Sequence, residues 1–216
     1  MHRVLLPRRR VIEAAIAGAA VFGAPGLVRA VEALPPTPQQ TAGPFYPQSF
    51  PADADNDLVH VAGHAEPAKG TVTRVAGRIL NRSGRPLSGV RVEIWQCDQN
   101  GRYHYVQDGG GGRPQDDNFQ GFGRTVTDAD GHYNFVTIRP VPYPGRTPHI
   151  HFAVTAPGLQ PVTTQMYVEG EPLNERDPVL LGVRDSAARA RLIVALRAAP
   201  EMAPGALAAS FDIVLA

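Results

Sequence analysis

The segment His149-Ile150-His151 places two imidazoles two residues apart. In a β-strand successive side chains alternate between faces, so both rings project from one side and Ile150 from the other. Two neutral imidazoles converging from one strand can form half of a first-row metal site. The same spacing also occurs where two histidines simply pack or face solvent. Two tyrosines change the balance. Tyr143 stands six residues upstream, in Pro142-Tyr143-Pro144-Gly145-Arg146-Thr147-Pro148, a rigid connection that returns the chain to the same region. Tyr103 follows Trp95 at the end of another β-patterned stretch. Zinc recruits Cys, His and carboxylates more readily than phenols. A phenol, with an ordinary pKa of about 10, ionises near neutrality only beside a strong Lewis acid. Two hard phenolates with two imidazoles suit a ferric ion, whose charge they partly cancel.

Holding such a set together calls for a turn-rich β fold, and the composition agrees. The 216-residue chain is 43% hydrophobic and 19% charged, with 22 Gly and 21 Pro. Gly and Pro thus make up about a fifth of it, against roughly 12% in average usage. This excludes a helical bundle or coiled coil. Strands are expected at residues 72–80, 90–95, 124–127, 133–138, 149–155, 163–168 and 211–215, separated by turn sequences. In the second of these, Val90, Val92 and Ile94 alternate with Arg91, Glu93 and Trp95. One helix is expected at residues 187–197. The pattern predicts a mainly β domain over residues 71–216, a two-sheet β-sandwich with one late helix. Residues 34–70 precede it as an extended, Pro-rich arm.

Residues 1–33 read as an address. Arg8-Arg9-Arg10 leads into an Ala- and Gly-rich apolar run with small residues at Ala30 and Ala33, a signal peptide of the twin-arginine kind. The expected location is therefore periplasmic or extracellular, reached in the folded state. No run of 18 apolar residues occurs, so no stable membrane span is expected after the signal is removed. Arg3, Arg8, Arg9, Arg10 and Arg29 carry most of the basic excess; the remainder has 16 basic and 19 acidic residues, with no nucleic-acid signature. The single cysteine, Cys97, cannot form an internal disulfide.

From residue 41 onward the chain resembles the intradiol ring-cleavage dioxygenases, protocatechuate 3,4-dioxygenase subunits most closely. The resemblance is carried by Thr-Ala-Gly-Pro-Phe-Tyr (41–46), Trp-Gln with Gly-Arg-Tyr (95–103), and Gly-Arg-Thr-Val-Thr-Asp-Ala-Asp-Gly-His-Tyr-Asn-Phe (123–135). It continues through Thr-Ile-Arg-Pro-Val-Pro-Tyr-Pro (137–144), Arg-Thr-Pro-His-Ile-His-Phe (146–152), Thr-Gln-Met-Tyr (164–167) and Phe-Asp-Ile-Val-Leu (211–215). It implies a non-haem Fe3+ held by Tyr103, Tyr143, His149 and His151. It implies a substrate-facing Arg146, an active-site Gln165, and a displaceable Tyr143 that serves as a base. The implied reaction uses O2 to open a catechol-type ring between its two hydroxylated carbons, giving a cis,cis-muconate-type diacid. One departure bears on the substrate. The connection from the second tyrosine to the His pair is shorter than in protocatechuate enzymes, and Gly145 replaces an aromatic residue. A more open pocket is expected, tolerant of substituted catechols.

The other motifs have plainer readings. Trp95 is expected to pack in the core or beside the site, and Tyr46 to line the pocket or anchor the arm. His60, His64, His104 and His132 are read as surface or hydrogen-bonded residues. Asp128-Ala129-Asp130-Gly131 reads as a hairpin turn rather than a Ca2+ loop. A rival class is a metal-free β-sandwich binding module of the transthyretin or carboxypeptidase-regulatory kind, which does not need the two Tyr and two His together. Homo-oligomerisation is compatible with the sequence.

Overall fold

A computed structural model describes residues 33–107 and 111–216. All but the last residue of the expected leader lies outside the described residues. Ten strands follow in order: β1 (Val72–Asn81), β2 (Arg91–Trp95), β3 (Phe122–Val126), β4 (His132–Ile138) and β5 (His149–Thr155); then β6 (Val162–Val168), β7 (Ile193–Val194), β8 (Arg197–Ala198), β9 (Leu207–Ser210) and β10 (Ile213–Leu215). They form the two expected sheets. In one, β1 pairs antiparallel with β4 on one edge; on its other edge it pairs parallel with β9 and then β10, and β8 joins β9. In the other, the order is β3-β2-β5-β6-β7.

The alternation expected of β2 and β5 sets which residues meet. Val92 and Ile94 on β2, Ile150, Phe152 and Val154 on β5, and Val162 and Met166 on β6 are buried in the main core, with Val75, Ile79 and Phe135 from the other sheet. The alternate positions face the opposite way. There His149 lies across from Tyr167, and His151 lies between Trp95 on β2 and Gln165 on β6. Because directly opposed residues share a face, these five side chains form one patch. A smaller apolar cluster of Trp95, Cys97, Tyr103 and Phe122 borders it, with Phe45, Tyr46 and Tyr143 packed against it.

The arm is stitched onto this body by hydrogen bonds rather than by a ladder of its own. Thr37 N donates to Val214 O and Gln40 N to Thr163 O. Farther on, Tyr46 Oη donates to the buried Glu93 carboxylate at 3.0 Å, while its ring packs edge-on against Trp95. Tyr46 is thus an anchor of the arm and a neighbour of Trp95 at once. Where β9 gives way to β10, Gly77 on β1 faces Phe211; a Cβ there would lie 2.0 Å from the Phe211 carbonyl oxygen. Only glycine lets the two backbones approach this closely.

Two local expectations are corrected. The late helix spans Ser186–Ala190 (α2), not residues 187–197. Beyond it Leu192 is buried, and Ile193–Val194 pairs parallel with the edge of β6. Two β-branched residues beside an open sheet edge gain more from the ladder than from another helical turn. The chain also forms a 3-10 turn, Pro172–Glu175, and a short helix, Pro178–Leu181 (α1). The Asp128 turn is no hairpin: Asp128 accepts from the Asp130 and His132 amides, but the turn carries the chain from β3 in one sheet to β4 in the other. No helix among the described residues is long and apolar enough to cross a membrane.

Candidate metal centre

His149 and His151 are each 1% exposed, and their Nε2 atoms lie 3.1 Å apart. His149 Nδ1 is 2.6 Å from the Thr147 carbonyl oxygen, which can only accept. Nδ1 therefore carries the proton, leaving Nε2 with a free lone pair. The His151 ring stacks on Trp95 at 4.7 Å, nearly parallel, which fixes its plane. Its Nδ1 is buried without a protein partner. Tyr103 Oη lies 3.4 Å from His149 Nε2, and the Tyr103 ring stacks face to face on Phe45 at 4.4 Å. Tyr143 meets the Tyr103 ring edge-on at 5.5 Å, with His149 also at 5.5 Å. It opens the turn Tyr143-Pro144-Gly145-Arg146, where Arg146 N donates to Tyr143 O and Gly145 takes φ +81°. Pro followed by a left-handed glycine is the pattern of a type II turn.

Electrostatics prepare these groups for a cation. Burial holds His151 well below the ordinary imidazole value. Burial, reinforced by the Arg146 charge, lowers His149 to about 4. Both rings are neutral throughout the physiological range, the form in which an imidazole can bind a metal. Burial pushes the Tyr103 phenol well up, and it raises Tyr143 despite the opposing Arg146 charge. Without a cation, both phenols stay protonated. Two buried imidazoles with their Nε2 atoms facing each other beside buried phenols, with no carboxylate among the four, fit a hard, highly charged metal ion. Among the described residues, no group of three or more His, Cys, Asp or Glu forms an alternative site.

Arg146 borders this cluster in a fixed posture. Its Nη1 donates to Tyr143 Oη at 3.3 Å, its Nη2 to Gln165 Oε1 at 2.5 Å, and its Nε to Asp177 Oδ2 at 2.8 Å. Gln165 in turn donates to Thr41 O, and Tyr167 Oη donates to Gln165 Oε1. The six main sequence candidates, Tyr103, Tyr143, Arg146, His149, His151 and Gln165, are thus brought together. Phe45 and Tyr167, quoted within family-like segments but given no role, join them, as does Asp177, which lies in none of those segments. His104, read as surface or hydrogen-bonded, is the latter: buried, with Nε2 3.1 Å from Asp98 Oδ2. His60 and His64 are exposed on loops and His132 is exposed at the start of β4, each beside an Asp or Asn.

The dioxygenase family profile matches residues 41–216. The chain is 38% identical to the protocatechuate 3,4-dioxygenase beta chain of Burkholderia cepacia, over 80% of this chain and 76% of that one. It belongs to the intradiol ring-cleavage dioxygenases. It is also 32% identical to the hydroxyquinol 1,2-dioxygenase of Corynebacterium glutamicum, over 67% of this chain but only 50% of that longer protein. Among solved structures it resembles the dioxygenase domain of a dioxygenase–carbohydrate-binding fusion from Streptomyces sp. SirexAA-E. That match has a TM-score of 0.65 at 32% identity and covers 84% of this chain and 98% of that domain. Membership of the intradiol family decides between the two classes weighed from the sequence, in favour of the enzyme.

Proposed function

We propose that this chain is an Fe3+ enzyme that opens a catechol-type ring between its two hydroxylated carbons, incorporating both atoms of O2 into a cis,cis-muconate-type diacid. The observation that carries this reading is the convergence of Tyr103, Tyr143, His149 and His151 on one sheet face beside an oriented Arg146. These four residues would hold the iron. Bound there, Fe3+ supplies Lewis acidity, favouring ionisation of both the phenols and the catechol hydroxyls.

The chain's own groups divide the remaining work. Tyr103 is buried and clamped by Phe45, so it keeps its place. Tyr143 is less buried than Tyr103 and stands at the head of a tight turn, so it can swing aside and take the second catechol proton at Oη. Arg146 keeps its charge at every working pH and stabilises negative charge as it develops on the ring. Gln165 fixes the Arg146 plane and can hydrogen-bond a substrate oxygen. Trp95 holds His151 from behind rather than touching substrate, and the arm at residues 41–46 limits access of water.

The shortened connection favours a broad substrate range. A cavity of about 160 Å3 is lined by Tyr143, Gly145, Arg146, Leu173, Arg176 and Asp177. Nothing stands within 4 Å of where a Gly145 Cβ would be. Iron analysis and ring-cleavage assays with catechol, protocatechuate, hydroxyquinol and an alkylcatechol test the proposal. One iron per chain, a red-brown colour from Fe3+–tyrosinate charge transfer and diacid formation are expected. Replacing His149 or His151 should lose the iron. Full iron and colour in a Tyr103→Phe, Tyr143→Phe double variant would refute the ligand assignment.

A further inference from the structure

Asp177 is 1% exposed, and both its carboxylate oxygens are fully engaged. Oδ1 caps α1, accepting from Val179 N at 3.0 Å and Leu180 N at 2.9 Å. Oδ2 accepts from Arg146 Nε at 2.8 Å and from the next backbone amide, Thr147 N, at 3.0 Å. A helix cap alone requires only one acceptor oxygen, and Ser, Thr, Asn or Asp provides it. The second oxygen does something a cap does not. It grips the side chain and the backbone of the segment that runs directly into His149, from a point 31 residues away in sequence.

We propose that Asp177 is a positioning residue: it sets the plane of the Arg146 guanidinium and its distance from the metal ligands. The inference rests on the reading of Arg146 given above. Three groups from different parts of the chain hold the three guanidinium nitrogens: Asp177 at Nε, Gln165 at Nη2 and Tyr143 at Nη1. Of these, only Asp177 carries a full charge, and its contact is the one buried ion pair of Arg146 among the described residues. Gln165 is neutral, and Tyr143 is the ligand expected to move. When Tyr143 swings away, Asp177 at Nε and Gln165 with Tyr167 at Nη2 define where the cation points. A guanidinium freed at Nε would keep its charge and lose its aim, and misplacement by about 1 Å can cost about 100-fold in rate.

The test uses the iron-loaded, full-length enzyme. Asp177→Asn and Asp177→Ser each keep a cap acceptor and remove the charged anchor. In both, kcat should fall about 10- to 100-fold, with KM for catechol within about threefold of wild type. Iron content and the visible tyrosinate absorption should stay at wild-type levels. In an Arg146→Ala background, the same Asp177 changes should cost nothing further, since their effect runs through the arginine. Equal losses in both backgrounds, or wild-type kcat in Asp177→Asn, would overturn the inference. Should neither Asp177 variant fold, Arg146→Lys provides the same test: it retains the charge without the three-point hold, and wild-type kcat in that variant also overturns it. Wild-type kcat in Arg146→Ala would instead remove the reading of Arg146, and this inference with it.

Discussion

Gly145 offers a direct test of what sets the substrate range. It takes φ +81°, and a Cβ added there meets open space. Gly145→Ala therefore adds backbone strain and almost no bulk. A left-handed non-glycine residue costs about 1–2 kcal/mol. In a domain of this size that lowers Tm by about 2–8 °C. Gly145→Trp carries the same strain and also projects a large ring over the cavity beside Tyr143 and Arg176. Comparing the two substitutions cancels the strain and isolates the filling of space. Each methylene excluded from an apolar pocket is worth about 1–3 kcal/mol, or 10- to 200-fold in kcat/KM. For a 4-alkylcatechol, Gly145→Trp should thus lose at least about 10-fold relative to Gly145→Ala, while catechol itself is turned over at similar rates by both. The assay follows diacid formation in the ultraviolet for the two substrates in parallel. An alkylcatechol-to-catechol ratio that is the same in the Trp and Ala variants would refute the argument that this connection sets the pocket.

Three further outcomes are expected. Burial alone would raise Asp98, but hydrogen bonds from His104 and from the Asp116, Arg102 and Asn100 amides outweigh it and hold the carboxyl below its ordinary value; its contribution to stability is complete above about pH 5 and is lost as pH falls below about 3.9, so Asp98→Asn should flatten the acid limb of Tm against pH, and an unchanged limb would count against this. Gly77→Ala would drive a Cβ into the Phe211 carbonyl, an overpacking that costs about 3 kcal/mol or more and should lower the urea midpoint sharply; a midpoint within experimental error of wild type would contradict the packing described. Residues 1–33 are proposed to be removed on export by the twin-arginine route, so intact mass from the native host should place the mature start near residue 31 to 34, and a soluble cytoplasmic form retaining Met1 would rule this out.

What could be read from the sequence was whatever depends on local period. Alternation alone put His149 and His151 on one face and Ile150 on the other, and it separated Val92 and Ile94 from Trp95. The rigid Pro-flanked connection at residues 142–148 was legible too, and its tight turn at Pro144-Gly145 is set by those two residues. Tyr167 and Asp177 were not, because nothing near them specifies their partners. Tyr167 reaches the site through the register of β5 against β6, which sets it opposite His149. Asp177 caps α1 with one oxygen, and that its other oxygen holds Arg146 is a tertiary fact. Phe45 lies in the Pro-rich arm, whose path no periodicity records. The late helix failed for a related reason: residues 187–197 have the composition of a helix, and the free edge of β6 outcompetes it at Ile193–Val194.

The attachment of the arm to the last strand gives the C-terminus a reach its position does not suggest. Thr37 N donates to Val214 O, and Val214 N donates back to Thr37 Oγ1, while the same arm carries Phe45 onto Tyr103. β9 and β10 supply one whole edge of β1, so β10 holds both the arm and the sheet. A substitution that loosens β10 would therefore be felt at Phe45 and Tyr103, where Thr163 and Glu93 would be left to hold the arm.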